Sequence, residues 1–452
     1  MASVCFDISS FRVIYHEHKY TYVIFFRGLM SGDQRKKMEC YRQYIFWILA
    51  VGYVVVYFHR LCPAVVALDM MRDLRSSGIL LGLLGSAYFY PYALMQLPAG
   101  LLSDSWGPRR SITLFFGIAC AGSLLLGFAT NIAVAVAGRI MVGLGVSMLF
   151  VPTMKILAEW FEARRFATMA GILMAMGGIG SLIATSPLAA LSSWIGWRGS
   201  FLAVGGVTLV LGLAVWFVVR DTPTDMGLPR PDDALGERPK PVGLVEGMRI
   251  VASTWAFWPL AVWFFFVMAI FFSFAGLWGG PFLIQVYGLS KAEAGAILSM
   301  CAVGMIIGSP ALSYLSNRVF RARKPVLVLS SLFTLIIIGI FSIATESLPI
   351  WSIYVLCLGM GIFTSAIVTI GFTMAKELFP VNMAGTSVGM ANLFPFAGGA
   401  VFQPVVGMIL EANGKSGDSF TIQGYHQAFL ALTACGVVAL ACSLALKETM
   451  KK

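Results

Sequence analysis

The chain has 452 residues, 58% of them hydrophobic and only 12% charged, and its mean hydropathy is strongly positive. A water-soluble domain of this length cannot hide so much apolar surface, so the bilayer must be the solvent for most of it. The formal net charge of +11 would suit nucleic acid in a soluble protein; in a membrane protein it reads as basic residues retained on the cytoplasmic side, with no nucleic-acid partner.

Residues 1–42 lack the small-residue cleavage site of a signal peptide and read as a cytoplasmic tail, with Met30 or Met38 as alternative natural starts. His16-Glu17-His18 supplies two histidines without a third ligand, which does not make a metal site. The eight cysteines are scattered and form no Cys-x-x-Cys pair, so they read as small apolar residues. The absence of an Asn-x-Ser/Thr sequon fits a bacterial inner membrane.

From Tyr44 onward, apolar runs of roughly 20 residues follow one another, each long enough to cross a hydrocarbon core of about 30 Å. They fall near 44–68, 78–102, 111–129, 132–157, 166–190, 200–219, 255–278, 293–316, 325–345, 350–374, 383–410 and 427–446. Backbone polar groups in lipid must be satisfied within the segment, so the expectation is twelve helices. With both termini cytoplasmic, the inward loops and tails from residue 35 on hold 22 Lys and Arg against five outside (Arg72, Arg75, Arg198, Lys291, Lys415). That asymmetry sets the orientation. The stretch 220–254 carries Pro223, Pro229, Pro231, Pro239 and Pro241 and reads as an extended linker. The chain thus divides into a tail (1–42), a six-helix bundle (43–219), the linker (220–254), a second six-helix bundle (255–446) and a short tail (447–452).

The two halves repeat each other. Ser313-Tyr-Leu-Ser-Asn317-Arg318 is a decayed copy of Gly100-Leu-Leu-Ser-Asp104-Ser105, Gly143-Leu-Gly145 recurs as Gly359-Met-Gly361, and Trp160-Phe161 recurs as Leu378-Phe379. Gly196-Trp197-Arg198 before the sixth segment matches Gly424-Tyr425-His426 before the twelfth. Four matches in register with a slowly growing offset indicate internal duplication.

The loop Gly100-x-x-x-Asp104-x-x-Gly107-x-Arg109-Arg110 resembles the signature between the second and third helices of the major facilitator superfamily of secondary transporters, and Arg139-x-x-x-Gly143-x-Gly145 resembles a second motif of that superfamily. The resemblance covers residues 43–446 and implies an all-α integral membrane fold of two pseudo-symmetric bundles, without cofactor and without catalysis, expected to be monomeric. Gly107 with Pro108 makes a tight turn, and Gly100 is expected to admit a neighbouring helix. The resemblance further implies that Asp104 faces the start of the eleventh helix, near Met383–Thr386, and that Arg109 or Arg110 reaches Glu159 or Glu162, latching the halves shut on the cytoplasmic side. Asn317 and Arg321 replace the acid and second glycine in the repeat, so a weaker counterpart is expected there.

Ionisable residues inside a span cost about 2.5–3.5 kcal/mol on insertion scales and ask for a reason. His59, Arg60 and Arg139 are such residues. At 1.5 Å per residue, Arg60 and Arg139 sit at matching depth, roughly 10–12 Å below the outer surface. Tyr53, Tyr57 and Arg60 share a helical face, as do Tyr88, Tyr92 and Gln96, and likewise Asn392, Phe396 and Gln403. Aromatic stripes are often plain packing, but a stripe ending in an arginine points to a cavity. No intramembrane carboxylate stands opposite these cations, so an anionic substrate is the natural counter-charge. The ending Tyr57-Phe58-His59-Arg60 resembles that of organic-anion and organophosphate transporters, which implies that Arg60 contacts the substrate anion. Acids that accompany proton coupling in that group are replaced here by His59 and Val146, leaving His59 as the coupling candidate, or exchange or uniport instead. The expectation is an alternating-access transporter of a small organic anion or zwitterion, with a counter-substrate or proton as its other partner. A carrier of neutral compounds and a non-transporting sensor with the same fold stay open.

Overall fold

The computed structural model describes residues 32–228, 244–380, 383–416 and 419–450. His16-Glu17-His18, Met30 and four linker prolines (Pro229, Pro231, Pro239 and Pro241) lie outside the described residues. The chain is almost entirely helical; a two-residue hairpin pairs Lys415–Ser416 with Ser419–Phe420. Among the described residues, eleven helices are long and apolar enough to cross a membrane. They cover every predicted segment except the fifth, whose helix Ala163–Ile183 holds the shorter apolar stretch Thr168–Ile183. The next helix, Ser186–Val218, bends at Gly196 (φ 71°), so its first turns prolong the fifth segment and the remainder forms the sixth.

Several segments are interrupted where the sequence provides a reason. The first runs as Gly32–Leu61, breaks at Cys62 and continues as Pro63–Asp73 behind a proline that has no N–H to donate. The second comes in three pieces, Gly78–Ser86, Phe89–Met95 and Pro98–Trp106. The seventh passes from Trp258–Ser273 through a π turn at Phe274–Trp278 into Gly279–Tyr287. Further π turns occur at Leu315–Val319 and Ile367–Gly371. Such turns free backbone groups that protein partners must satisfy at membrane depth.

Lipid tails are as apolar as leucine, so close backbone packing takes the place of the hydrophobic effect between these helices. Gly122 and Gly138 bring the third and fourth segments together: a Cβ at Gly122 would lie 2.7 Å from the Gly138 carbonyl oxygen. A Cβ at Gly143 would overlap the Tyr88 carbonyl, and one at Gly361 the Cys301 carbonyl. These two glycines stand in the repeated Gly-x-Gly elements, at the first position in one half and the second in the other, and each packs the second and fourth segments of its own half. Large apolar side chains such as Leu94, Val210, Phe217, Ile343 and Val437 are exposed on the outer surface, as lipid contact requires.

Between the halves, Gly78–Ser86 packs along Ala384–Ala412, Ala163–Ile183 along Lys291–Tyr314, and Pro63–Asp73 along Gly279–Tyr287. The tightest backbone approaches lie on the face opposite the Gly107 loop, here called the far face. A Cβ at Gly280 would overlap the Ala64 carbonyl, and one at Gly82 would sit 2.7 Å from the Gln403 carbonyl oxygen and the Pro404 Cα. Polar ties reinforce this side. The Glu411 carboxylate accepts from the Gly78 amide at 2.6 Å, and Lys291 pairs with Asp69. On the loop face the corresponding approach is looser, with a Cβ at Gly389 3.8 Å from the Gln96 carbonyl.

Candidate functional site

Arg60 ends the last turn of Gly32–Leu61 and is buried between the halves. Its guanidinium carbon lies 4.2 Å from the Tyr57 ring centroid, 4.8 Å from Phe396 and 5.1 Å from Tyr92. Rings from three different segments therefore form a cage around one cation. Cation–π contacts of this kind are worth about 2 kcal/mol when desolvated, but they do not neutralise the charge. Among the described residues neither Arg60 nor Arg139 forms an ion pair. Beside Arg60 opens a space of about 470 Å³, lined from the first half by Tyr57, Leu61 and Ser181. The second half contributes Asn392 and Phe396 together with an apolar wall that includes Met268, Phe271, Met305 and Phe372. The π turn at Ile367–Gly371 brings Ile367 to the same space.

Of the nominated residues, Tyr57, Arg60, Asn392 and Phe396 line this space. The Tyr53–Tyr57 rings pack edge-on at 5.1 Å, and Tyr57 carries the stripe on to Arg60. Tyr53 itself turns aside, stacking on Phe150. Tyr88 and Tyr92 stack at 5.6 Å, and Gln96 donates to the Tyr92 carbonyl at 3.0 Å. Asn392 reaches across the halves, its Nδ2 donating to Gln96 Oε1 at 2.6 Å.

Three sequence-nominated residues sit elsewhere. Arg139 is at the depth expected, since its Nη1 donates to the His59 carbonyl at 2.8 Å, yet it lies over the Tyr88 ring at 5.0 Å and does not line the cavity. His59 is enclosed on the same side, with Nε2 3.4 Å from Ser123 Oγ. Gln403 braces the seventh segment: its Nε2 donates to the Phe272 carbonyl at 2.8 Å, and its own carbonyl accepts from Trp278 Nε1 at 2.9 Å. It thereby satisfies backbone freed at the Phe274–Trp278 π turn. Sequence reading overlooked the apolar wall, although Met268, Phe271 and Phe272 stand at i, i+3 and i+4 within an aromatic run.

The Gly100–Arg110 loop corrects several expectations. Gly107 does make the turn (φ 85°), but a Cβ at Gly100 would meet nothing within 4 Å, so no helix exploits its missing side chain. Asp104 does not face Met383–Thr386; it accepts from Lys155 Nζ at 2.7 Å. Arg109 reaches neither Glu159 nor Glu162. Its Nε donates to the Trp216 carbonyl at 2.8 Å, its guanidinium lies 4.6 Å from that ring, and its amide donates to Asp221 Oδ1 at 2.7 Å. Arg110 lines an open groove with Trp106 and Trp216. Burial holds the Asp221 carboxyl above the usual carboxylate range despite the Arg109 amide. Lys155 and Trp216 belong to the first half and Asp221 to the start of the linker, so in this conformation these contacts do not join the two halves.

The repeat loop is not the weaker one. Arg321 occupies the place of the second glycine with φ 49°. Arg323 binds Asn317 Oδ1 at 2.6 Å and Glu377 Oε1 at 3.1 Å, while the Arg323 and Lys324 amides donate to Glu448. The Gly196-Trp197-Arg198 sequence also gains a structural account. Trp197 Nε1 donates to Asp73 Oδ2 at 2.9 Å, Arg198 pairs with the same oxygen, and Arg198 Nη2 donates to the Ala129 carbonyl at 3.2 Å. The ends of three segments meet there.

Comparison with known proteins agrees with this architecture. The family model of the Major Facilitator Superfamily matches residues 49–403. The chain is 23% identical over 430 residues to a probable hexose phosphate transport protein of Chlamydia trachomatis, covering 90% of this chain and 91% of the relative. It is 23% identical over 412 residues to a probable galactarate/D-glucarate transporter of Escherichia coli K12, covering 84% and 90%. Among solved structures it is similar to an inward-facing, unoccupied bacterial homologue of the human lysosomal transporter Spinster, with TM-score 0.72, 19% identity and coverage of 90% and 96%. With its paired loops, its membrane helices and a family match over most of its length, this chain is a multi-pass membrane protein and belongs to the Major Facilitator Superfamily of transporters.

Proposed function

We propose that the chain moves a small organic anion across the inner membrane of a bacterium by alternating access, two six-helix bundles (43–219 and 255–446) rocking about the Arg60 cavity. Both termini and the Gly107 loop lie on the cytoplasmic side in this reading, as the basic loops require. One observation carries it: Arg60 is buried in a cavity between the halves with rings around it and, among the described residues, no ion pair. A charge in that position asks for a counter-charge, and a substrate anion supplies it. The names of the relatives, carriers of hexose phosphate and of galactarate or glucarate, support the same class. The far-face contacts of Gly280, Gly82 and Glu411 suit a state whose cavity communicates with the cytoplasm.

Among the described residues no carboxylate is paired with Arg60, so a coupling proton would fall to His59; pH-independent counterflow would instead place the carrier among exchangers or uniporters. The decisive variants are Arg60→Lys and Arg60→Gln in proteoliposomes. Breaking a buried, hydrogen-bonded charge contact costs about 2–5 kcal/mol, so Arg60→Gln should lose anion affinity by about 30-fold or more. Arg60→Lys should fall between, because an ammonium keeps the charge but not the fork. Unchanged anion counterflow in Arg60→Gln would sink the proposal.

A further inference from the structure

The two walls of the cavity differ in chemistry, and that difference speaks to the kind of anion it holds. Arg60 is the one cation in the lining. The polar side chains beside it are few and partly committed. Ser181 Oγ donates to the Gly177 carbonyl at 3.2 Å, and the Asn392 amide nitrogen is held by Gln96 at 2.6 Å. Opposite stand Met268, Phe271, Met305 and Phe372, which offer polarisable and aromatic surface and no strong hydrogen-bond donor.

We infer that the substrate is a monoanion, one carboxylate on an aromatic or branched-alkyl body, and not a sugar phosphate or a dicarboxylated sugar. The inference rests on the organic-anion reading above and narrows it. A guanidinium matches one carboxylate through two parallel N–H···O bonds. A hexarate would bring a second carboxylate against the Met and Phe wall, where a charge without a partner is strongly disfavoured. A hexose body would add several hydroxyls, each needing a partner that this wall lacks. An apolar body meets the opposite situation. It covers the wall, displaces loosely held water and takes up the sulfur and ring contacts the wall presents.

The test uses the purified full chain, with thermal stabilisation and counterflow in liposomes read against five probes: phenylpyruvate, 4-methyl-2-oxopentanoate, glucose 6-phosphate, glucarate and sulfoacetate. The first two should bind at least tenfold tighter than the others. Phe271→Ser should weaken phenylpyruvate by about tenfold, and the milder Met305→Thr by about threefold, with unliganded melting within a few degrees of wild type for at least one of the two. Tighter, Arg60-dependent binding of glucose 6-phosphate, glucarate or sulfoacetate would overturn this inference while leaving the organic-anion reading in place. Equal binding of phenylpyruvate in wild type and in a folded wall variant would also overturn it. If Arg60→Gln changes no anion's binding, the organic-anion reading fails first and this one with it.

Discussion

Asp73 shows how much one carboxylate can organise at the membrane edge. It ends Pro63–Asp73 beyond the first apolar segment, and its Oδ2 receives both the Trp197 indole and the Arg198 guanidinium. The indole hydrogen bond, aided by Arg198, holds its carboxyl below the ordinary value of 3.8. A carboxyl with a lower pKa in the folded than in the unfolded chain adds stability above its unfolded value and loses it as pH falls through its folded value. Wild type should therefore melt above Asp73→Asn at pH 7, with the gap shrinking below about pH 3.8. Melting curves in detergent from pH 7 to pH 3 check this; a gap that does not narrow would mean the ionised form is not what matters. The Asp104–Lys155 pair, with side chains 71% and 37% exposed, is a poorer lever, since exposed ion pairs contribute about 0–1 kcal/mol.

At the scale of elements, the Gly100–Arg110 loop separates two glycines that look alike in sequence. Gly107 holds φ 85° and ψ 148°, and a Cβ there would fall 2.5 Å from Asp221 Oδ2. Gly107→Ala should cost about 1–3 kcal/mol, the range for a non-glycine residue forced into such backbone. Gly100 lies inside Pro98–Trp106 with open space around it. Gly100→Ala should be neutral or stabilising by about 0.5–1 kcal/mol, because it removes unfolded-chain freedom within a helix. Paired melting curves of the two variants test the contrast. The π turn at Phe274–Trp278 belongs to this scale as well, as Gln403 supplies from another segment the hydrogen bond that the bulge frees.

For the whole molecule, the far face is the closure that the proposed alternating access would have to undo. Gly280 is packed against the Ala64 carbonyl, where a side chain cannot fit without moving backbone. Gly280→Val should therefore hold the halves apart there and shift the population toward far-face opening, slowing turnover at least tenfold while the protein stays in the membrane. A single cysteine at Ser181, in a background lacking native cysteines, should then react with an impermeant thiol reagent from the far side. Protection equal to that in the Gly280 parent would rule this closure out. The repeated Gly-x-Gly elements make a similar contact in each half: Gly143 in one and Gly361 in the other let the second and fourth segments touch backbone to backbone.

The membrane, the helices and the family loop were legible in the sequence because each is a local or periodic property. So was the Tyr57–Arg60 side of the cavity, since residues at i, i+3 and i+4 of one helix face the same way whatever surrounds them. Which way a helix face turns relative to its neighbours is not periodic information; it is set by packing between segments far apart in the chain. That is why Arg139 and Gln403, well placed by spacing, point into their own packing and away from the cavity, and why Lys155 and Asp221 took up roles assigned to other residues. Only the assembled fold put Met268 and Phe271 opposite Arg60, and the proposed choice among anions rests on that pairing of one charge with an apolar wall.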